Sequence, residues 1–198
     1  MNTHSPASPL TSLAQGMSVL RLSVEAPERI AGWDAIVLTA ASQHQAALYT
    51  QQLRAARRRG LIAERTRTLV VEDPGGRRIG SGGATLNALR RLRESRPDVD
   101  PASLKVLLIH AGGDSKRVPW ANVLGKCFIP FPLFSDADRP ALSVFDHQLA
   151  IAAPVAQAMR GGGLLTFSGD ALPLFASARM TLPMDGALVV TSPVSLDI

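Results

Sequence analysis

The sequence has a single cysteine, Cys127, which excludes an internal disulfide and a cysteine-based zinc site. It also has no apolar stretch close to the ~18 residues that a membrane-spanning helix needs. Its N-terminal segment, MNTHSPASPLTSLAQGMSVL, has neither the basic beginning nor the long apolar centre of a secretory signal. These absences predict a reducing, cytoplasmic setting and no association with a membrane.

Aromatic residues make up only 5% of the chain, and acidic residues are scarce in one stretch of it. Between Arg54 and Arg96 there are twelve lysines and arginines against four acids, whereas the formal net charge of the whole chain is only +5. Such a basic block attracts nucleic acids or anionic substrates, or forms the solvated face of a helix. Proteins that bind single strands stack bases on several aromatic side chains, but only Tyr49 lies near this block. Nucleic-acid binding is therefore a lesser alternative.

What the sequence does contain is an alternation of short apolar runs with helical patterns. This alternation predicts an α/β fold, with a mostly parallel sheet covered by helices on both faces. Residues 1–32 are expected to form a flexible tail and lead-in, and 33–198 a nucleotide-binding domain that stops abruptly and is therefore partial. The predicted strands are AIVLTA, RTLVVE, KVLLIHA, GLLTFSGD and a short run at 186–190.

The predicted helices follow the first, second and third strands. Ser42 is a suitable N-cap for the first helix. The second is expected to begin near Ala84 and to place Leu86, Leu89 and Leu92 on one face. The third is expected to be interrupted near Pro154, because proline lacks the backbone N–H that a helix interior uses.

The loop HAGGDSKRVPWANVLGKCF follows the most apolar strand. Gly112 and Gly113 allow positive φ and close backbone approach, and consecutive N–H groups in such a turn bind anions. Arg117 and Lys126 add the two cationic groups that bind phosphate: a planar guanidinium, which can contact two oxygens at once, and a flexible ammonium group. The loop therefore predicts a polyphosphate site. The residues between the glycines and Arg117 are assigned to nucleotide binding as well: Asp114, Ser115 and Lys116.

A second glycine-rich loop, GGRRIGSGGATLNAL, precedes a predicted helix. A helix N-terminus reached through glycines is suited to anions or polar ligands, and two hydroxyls are available there as donors. A flexible strand-to-helix turn is the alternative interpretation. The nucleotide-binding residues predicted in this loop are Gly80, Ser81, Gly82, Gly83 and Thr85.

A carboxylate, Asp170, ends the predicted strand GLLTFSGD. A single aspartate at a strand end is equally consistent with a turn. Mg²⁺, however, is commonly held by one or two carboxylates together with substrate phosphates. Asp170 is therefore the predicted ligand of a Mg²⁺ cofactor beside the phosphate loop.

Four motifs in this order, SGGATLNAL, HAGGDSKRVP, LGKCFIP and LLTFSGD, resemble the GDP-fucose pyrophosphorylase family. The domain also occurs in bifunctional L-fucokinase/fucose-1-phosphate guanylyltransferases. The resemblance runs from about Trp33 to Val190 and implies a Rossmann-like, GT-A-like nucleotidyltransferase fold. It further implies that GTP and L-fucose 1-phosphate are converted to GDP-L-fucose and pyrophosphate with Mg²⁺.

Carried over by motif position, the resemblance implies that Gly112 and Gly113 wrap the phosphates. Arg117 and Lys126 would neutralise charge on the α-phosphate and the leaving pyrophosphate, and Asp170 would hold the metal. The loop from Ser81 to Thr85 would lie near the base or the sugar. The chain ends before the second metal-binding carboxylate and most sugar contacts expected of such enzymes, and the kinase half of bifunctional members is absent.

Three hypotheses follow from the sequence. The first is a sugar-1-phosphate nucleotidyltransferase, or a fragment of one; the second is a nucleotide-binding fragment without activity. The third is the basic nucleic-acid-binding module. The preference for GTP and for fucose comes from the resemblance only, and the oligomeric state is left open.

Overall fold

The computed structural model describes residues 9–113, 125–130 and 142–189, and within these ranges strands alternate with helices. Because none of these helices is both long and apolar enough, no part of the described chain is a candidate membrane span. The strands are β1 (Ala35–Ala40), β2 (Arg67–Glu72), β3 (Lys105–His110) and β4 (Gly163–Ser168). The helices are α1 (Pro9–Glu25), α2 (Gln43–Arg58), α3 (Gly80–Ser95) and α4 (Val144–Ala158).

The strands form one parallel sheet in the order β2-β1-β3-β4, which confirms the predicted α/β fold. The chain leaves β1 for the outer strand β2 and then returns across β1 to β3. The connections of β1 and β3 thus run in opposite directions. Between two such strands a crevice opens at their carboxyl ends, which is where open α/β sheets bind ligands. We call the ends of β1, β3 and β4, at Ala40, His110 and Ser168, the carboxyl edge.

Hydrophobic cores on both faces of the sheet confirm the predicted three layers. The larger core lies under α1, α2 and α4, and the smaller one lies under α3. Every residue of β1 is buried, as expected for a central parallel strand covered on both faces. Ser42 caps α2 by accepting a hydrogen bond from the Gln45 backbone N–H, as its position in the sequence predicts.

The predicted flexible lead-in over 1–32 is wrong for Pro9–Glu25, which form α1. Leu13 and Leu20 are buried, and α1 packs against α4. Gly16 makes this packing possible, since a Cβ there would lie 2.2 Å from the Ala150 carbonyl oxygen. Residues 1–8 lie outside the described ranges. The division into a lead-in and a domain at 33–198 is otherwise a prediction.

The predicted starting point of α3 is also wrong, and its predicted leucine face is buried at Leu92 but not at Leu86. The helix begins at Gly80 rather than near Ala84, and Leu86 is 71% exposed. The buried positions are Ala84, Ala88 and Leu92. Residues four apart lie on one helix face, and two alanines let α3 approach the sheet closely.

Two further expectations differ from the structure. Helix α4 continues through Pro154 without interruption. The missing N–H leaves the carbonyl of Ala150 without its usual helical partner, and that carbonyl is the group against which α1 packs. The predicted strand at 186–190 is wrong for residues 186–189, where Gly186 has φ +100 and Val189 is 77% exposed. Position 190 lies outside the described ranges.

Candidate functional site at the carboxyl edge

The glycine turn that follows β3 lies in the crevice between β1 and β3. The Gly112 N–H donates to the Thr39 hydroxyl at 3.3 Å. A Cβ on Gly112 would lie 3.2 Å from the Ala40 carbonyl carbon, so glycine allows this close approach. Gly113 has φ +123, which side chains disfavour. The two predicted phosphate-binding glycines therefore sit at the sheet position where ligands are expected.

Helix α2 supports this turn through two side chains that sequence reasoning did not assign to the site. The Tyr49 hydroxyl donates to the Ala111 carbonyl at 2.9 Å, and Tyr49 is fully buried. Burial raises the pKa of Tyr49, so its hydroxyl keeps its proton and stays a donor. Gln45 accepts from the Ala41 N–H at 2.7 Å, and its amide approaches the Gly113 carbonyl at 3.5 Å.

Lys126 and Asp170 meet at the same edge, although 44 residues separate them in the chain. The Lys126 Nζ donates to Asp170 Oδ2 at 3.2 Å. Asp170 also accepts a hydrogen bond from the hydroxyl of Ser168, at the end of β4. The Ser168 hydrogen bond and the positive charge of Lys126 hold the pKa of Asp170 below its usual value. The site therefore pairs an ionised carboxylate with a cation.

The second glycine-rich segment forms the first turns of α3 from Gly80 onward, and it reaches the edge through Thr85. Its hydroxyl donates to the Ser81 carbonyl at 2.9 Å and lies 3.1 Å from His110 Nε2. This pattern assigns the Nε2–H tautomer to His110, with Thr85 as acceptor. Burial, and then the charge of Lys126, lower the pKa of His110, which favours a neutral ring. In the first turn of α3, Gly80, Ser81 and Gly82 are exposed, and Gly83 is half-buried.

The structure thus brings together Gly112, Gly113, Lys126, Asp170 and Thr85 around one edge. Four of the predicted site residues lie outside the described ranges, and their placement stays a prediction: Asp114, Ser115, Lys116 and Arg117.

Asp170 is the predicted Mg²⁺ ligand at this edge. Within the ranges that the structure describes, no group of three or more His, Cys, Asp or Glu side chains is arranged to hold a metal. A cage made entirely of protein ligands is therefore not seen there. One ionised and 59% exposed carboxylate does fit Mg²⁺, which keeps several waters and shares its ligands with substrate phosphates.

Comparison with known proteins gives consistent matches. A profile for the fucose pyrophosphorylase domain matches residues 101–198. A bifunctional fucokinase/GDP-fucose pyrophosphorylase from Arabidopsis thaliana is 49% identical over 210 residues, 95% of this chain and 20% of the relative. Fucose-1-phosphate guanylyltransferases from Mus musculus and Homo sapiens are 38% and 36% identical over 138 residues, 70% of this chain and 22% of each relative. The chain spans about a fifth of the length of these relatives. No solved structure matches it.

Proposed function

We propose that this chain, in which residues 101–198 match the fucose pyrophosphorylase domain, is a sugar-1-phosphate nucleotidyltransferase or the nucleotide-binding part of one. The reaction joins GTP and L-fucose 1-phosphate to give GDP-L-fucose and pyrophosphate. The names of the relatives support this choice of sugar and nucleotide.

The observation that carries the proposal is the contact between Lys126 and Asp170, in a turn that packs against His110 and Ala111 directly before the glycine turn. A phosphate tail needs backbone donors, a cation and a carboxylate-held metal within a few ångströms of one another. Three separate segments of the chain supply the backbone donors, the cation and the carboxylate at the carboxyl edge. An unrelated glycine turn with scattered surface charges would not bring them together.

The proposed reaction needs no protein nucleophile. A phosphate oxygen of the sugar phosphate attacks the α-phosphorus in line, and pyrophosphate leaves as its bond to that phosphorus breaks. Catalysis then consists of positioning and of stabilising the charge on the phosphoryl oxygens. The backbone turn at Gly112 and Gly113 wraps the phosphates, with the Gly113 N–H as the donor because the Gly112 N–H is bonded to Thr39. Arg117 and Lys126 neutralise the charge on the α-phosphate and the leaving group.

The Lys126–Asp170 pair prepares the site for its substrate. Without a nucleotide, Asp170 holds Lys126 at the edge. When the phosphates arrive, the Lys126 ammonium exchanges this carboxylate for a phosphate oxygen, and Asp170 becomes available to Mg²⁺. Bound there, Mg²⁺ would neutralise further negative charge on the phosphates. The segment from Ser81 to Thr85 would lie near the base or the sugar.

The arginine-rich block from Arg54 to Arg96 is the basis of the nucleic-acid alternative. Several of its side chains have partners within the protein. Arg57 donates to the carbonyls of Ala63 and Thr66, and Arg59 forms a two-pronged ion pair with the buried Asp146. These contacts connect loops and helices within the protein. Part of the basic block therefore has a structural role that does not involve a nucleic acid.

The proposal is tested by measuring pyrophosphate release and nucleotide binding with Mg²⁺, across a panel of nucleoside triphosphates and sugar 1-phosphates. We expect turnover with GTP and L-fucose 1-phosphate. Lys126→Met is expected to reduce it by about 10²-fold, the effect of removing one positioned electrostatic group. Asp170→Asn is expected to raise the Mg²⁺ concentration needed for half-maximal rate.

Two matched variants control for the substitutions themselves. Lys105→Met removes a lysine at the opposite end of β3, and Asp185→Asn removes an exposed carboxylate outside the edge. Both should retain wild-type turnover. Binding of Mg·GTP without pyrophosphate release would identify the chain as a nucleotide-binding fragment. If neither binding nor release occurs, both forms of the proposal fail.

A further inference from the structure

A glutamine buried inside α4 contacts the turn that carries Asp170. Gln148 is fully buried, and its amide nitrogen donates to the carbonyls of Ser168 and Ala171, each at 2.8 Å. These two carbonyls lie on either side of Gly169 and Asp170 in the chain. One side chain from the helix layer therefore holds both ends of the turn.

The orientation of this amide follows from its partners. Both partners are carbonyl oxygens, which only accept hydrogen bonds, so the NH₂ group must face them. The Gln148 oxygen then points away and has no hydrogen-bond partner among the residues that the structure describes. A buried polar atom without a partner is costly, and an apolar side chain would fill the same space without that cost. What Gln148 adds over an apolar side chain is the pair of bonds to the turn.

Other backbone contacts also hold the turn. The Gly169 N–H donates to the His110 carbonyl of β3 at 3.0 Å, and the Ala171 N–H donates to the Ser168 carbonyl at 3.1 Å. A Cβ on Gly169 would lie 2.9 Å from Ala111 Cα, so the turn presses against the strand that leads to the glycine loop. Gln148 is the support that α4 gives to this turn.

We propose that Gln148 is a positioning residue: its two hydrogen bonds fix the 168–171 turn so that the Asp170 carboxylate faces the phosphate-bound cation. The inference rests on the proposed function for the role of Asp170, whereas the hydrogen bonds to the turn are independent of it. Groups that orient a metal-binding carboxylate typically change metal affinity by ~10- to 100-fold when removed. Gln148 touches neither the cation nor the nucleotide in this arrangement.

The test compares Gln148→Met with Gln157→Met in the full chain. Methionine has a similar length and no donor, and Gln157 is an exposed residue of the same helix, so it serves as the matched control. Hydrogen exchange of the Gly169 and Ala171 amides reports on the turn itself. Electron paramagnetic resonance of Mn²⁺, with and without GTP, reports on the cation site. Neither measurement requires turnover.

For Gln148→Met we expect exchange of the two turn amides to be about tenfold faster and Mn²⁺ binding in the presence of GTP to be about tenfold weaker. Gln157→Met should change neither. Unchanged exchange and unchanged Mn²⁺ binding in a folded Gln148→Met protein would overturn the inference. So would faster exchange with unaltered Mn²⁺ binding, because the turn would then be held for stability alone.

A measurement on the wild-type protein covers the case in which Gln148→Met does not fold. Scalar couplings across hydrogen bonds should connect the Gln148 side-chain nitrogen with the carbonyl carbons of Ser168 and Ala171. Rapid solvent exchange of the Gln148 amide protons would rule the arrangement out. If the couplings are present but the wild-type chain binds no Mn²⁺ with GTP, the proposed function fails while the contact to the turn stands.

Discussion

Replacing Tyr49 with phenylalanine removes a single atom that connects helix α2 to the glycine turn. The Tyr49 hydroxyl donates to the Ala111 carbonyl at 2.9 Å, and both residues are 0% exposed. The aromatic ring stays in place, so its contact with Phe128, at 5.5 Å between ring centroids, is retained. The substitution therefore isolates the hydrogen bond from the packing of the ring.

The size of the effect follows from the burial of the acceptor. An ordinary hydrogen bond contributes about 1 kcal/mol net, but a buried acceptor left without its partner costs about 1–3 kcal/mol. Ala111 is fully buried, so water cannot replace the tyrosine hydroxyl without opening the turn. We expect Tyr49→Phe to lower the free energy of unfolding by about 1–3 kcal/mol.

Equilibrium unfolding in urea measures this difference as a lower midpoint at unchanged slope, by roughly 1 M for a slope of about 2 kcal/mol/M. Thr50→Val is the control, because the Thr50 hydroxyl bonds only to the Ala46 carbonyl of its own helix. It should change the stability by less than about 0.5 kcal/mol. Equal midpoints for Tyr49→Phe and the wild type would show that the bond to Ala111 contributes nothing, and the reasoning would be refuted.

Two further predictions concern the packing of α1 and the ring of His110. Gly16→Ala should destabilise the protein by about 1–3 kcal/mol in thermal unfolding, because its Cβ would meet the Ala150 carbonyl. Gly161→Ala, where a Cβ meets nothing within 4 Å, should stay near the wild type, and equal effects would contradict the packing of α1. The pKa of His110 in the folded protein is lowered from 6.5, so the unfolded chain takes up a proton on this histidine at a higher pH than the folded chain does. The free energy of unfolding should therefore fall as the pH is lowered from 6.5, and it should fall less steeply in His110→Asn. Equal pH dependence of the unfolding free energy in the variant and the wild type would refute this.

The four strands could be predicted because each is a short apolar run, and central parallel strands are buried on both faces. The helical faces were harder to predict. In α3 three leucines suggested the buried side, but the side that meets the sheet has alanines at 84 and 88. Small residues carry little hydrophobic signal in a sequence, although they decide how closely a helix approaches a sheet.

Helix α1 was missed because serine, threonine and proline dominate the residues before it. Its buried positions Leu13 and Leu20 are seven residues apart, a helical spacing that was present in the sequence. The burial of this helix face depends on a tertiary contact. Pro154 leaves the Ala150 carbonyl without its helical partner, and Gly16 packs against that carbonyl. No local pattern relates a glycine near the N-terminus to a proline that far along the chain.

The glycine turn and the strand-end carboxylate could be predicted because strand order places such loops at one edge. Lys126 begins a short helical turn, Lys126–Phe128, and its position depends on its neighbours. Gly125 has φ +82 and lies so close to Tyr49 that a Cβ would come within 2.1 Å of the ring. Phe128 packs between Tyr49 and Phe145, with ring centroids 5.5 and 5.1 Å away. The apolar residues that follow Lys126 are thus anchored in the core, and this anchoring presents its ammonium group to Asp170.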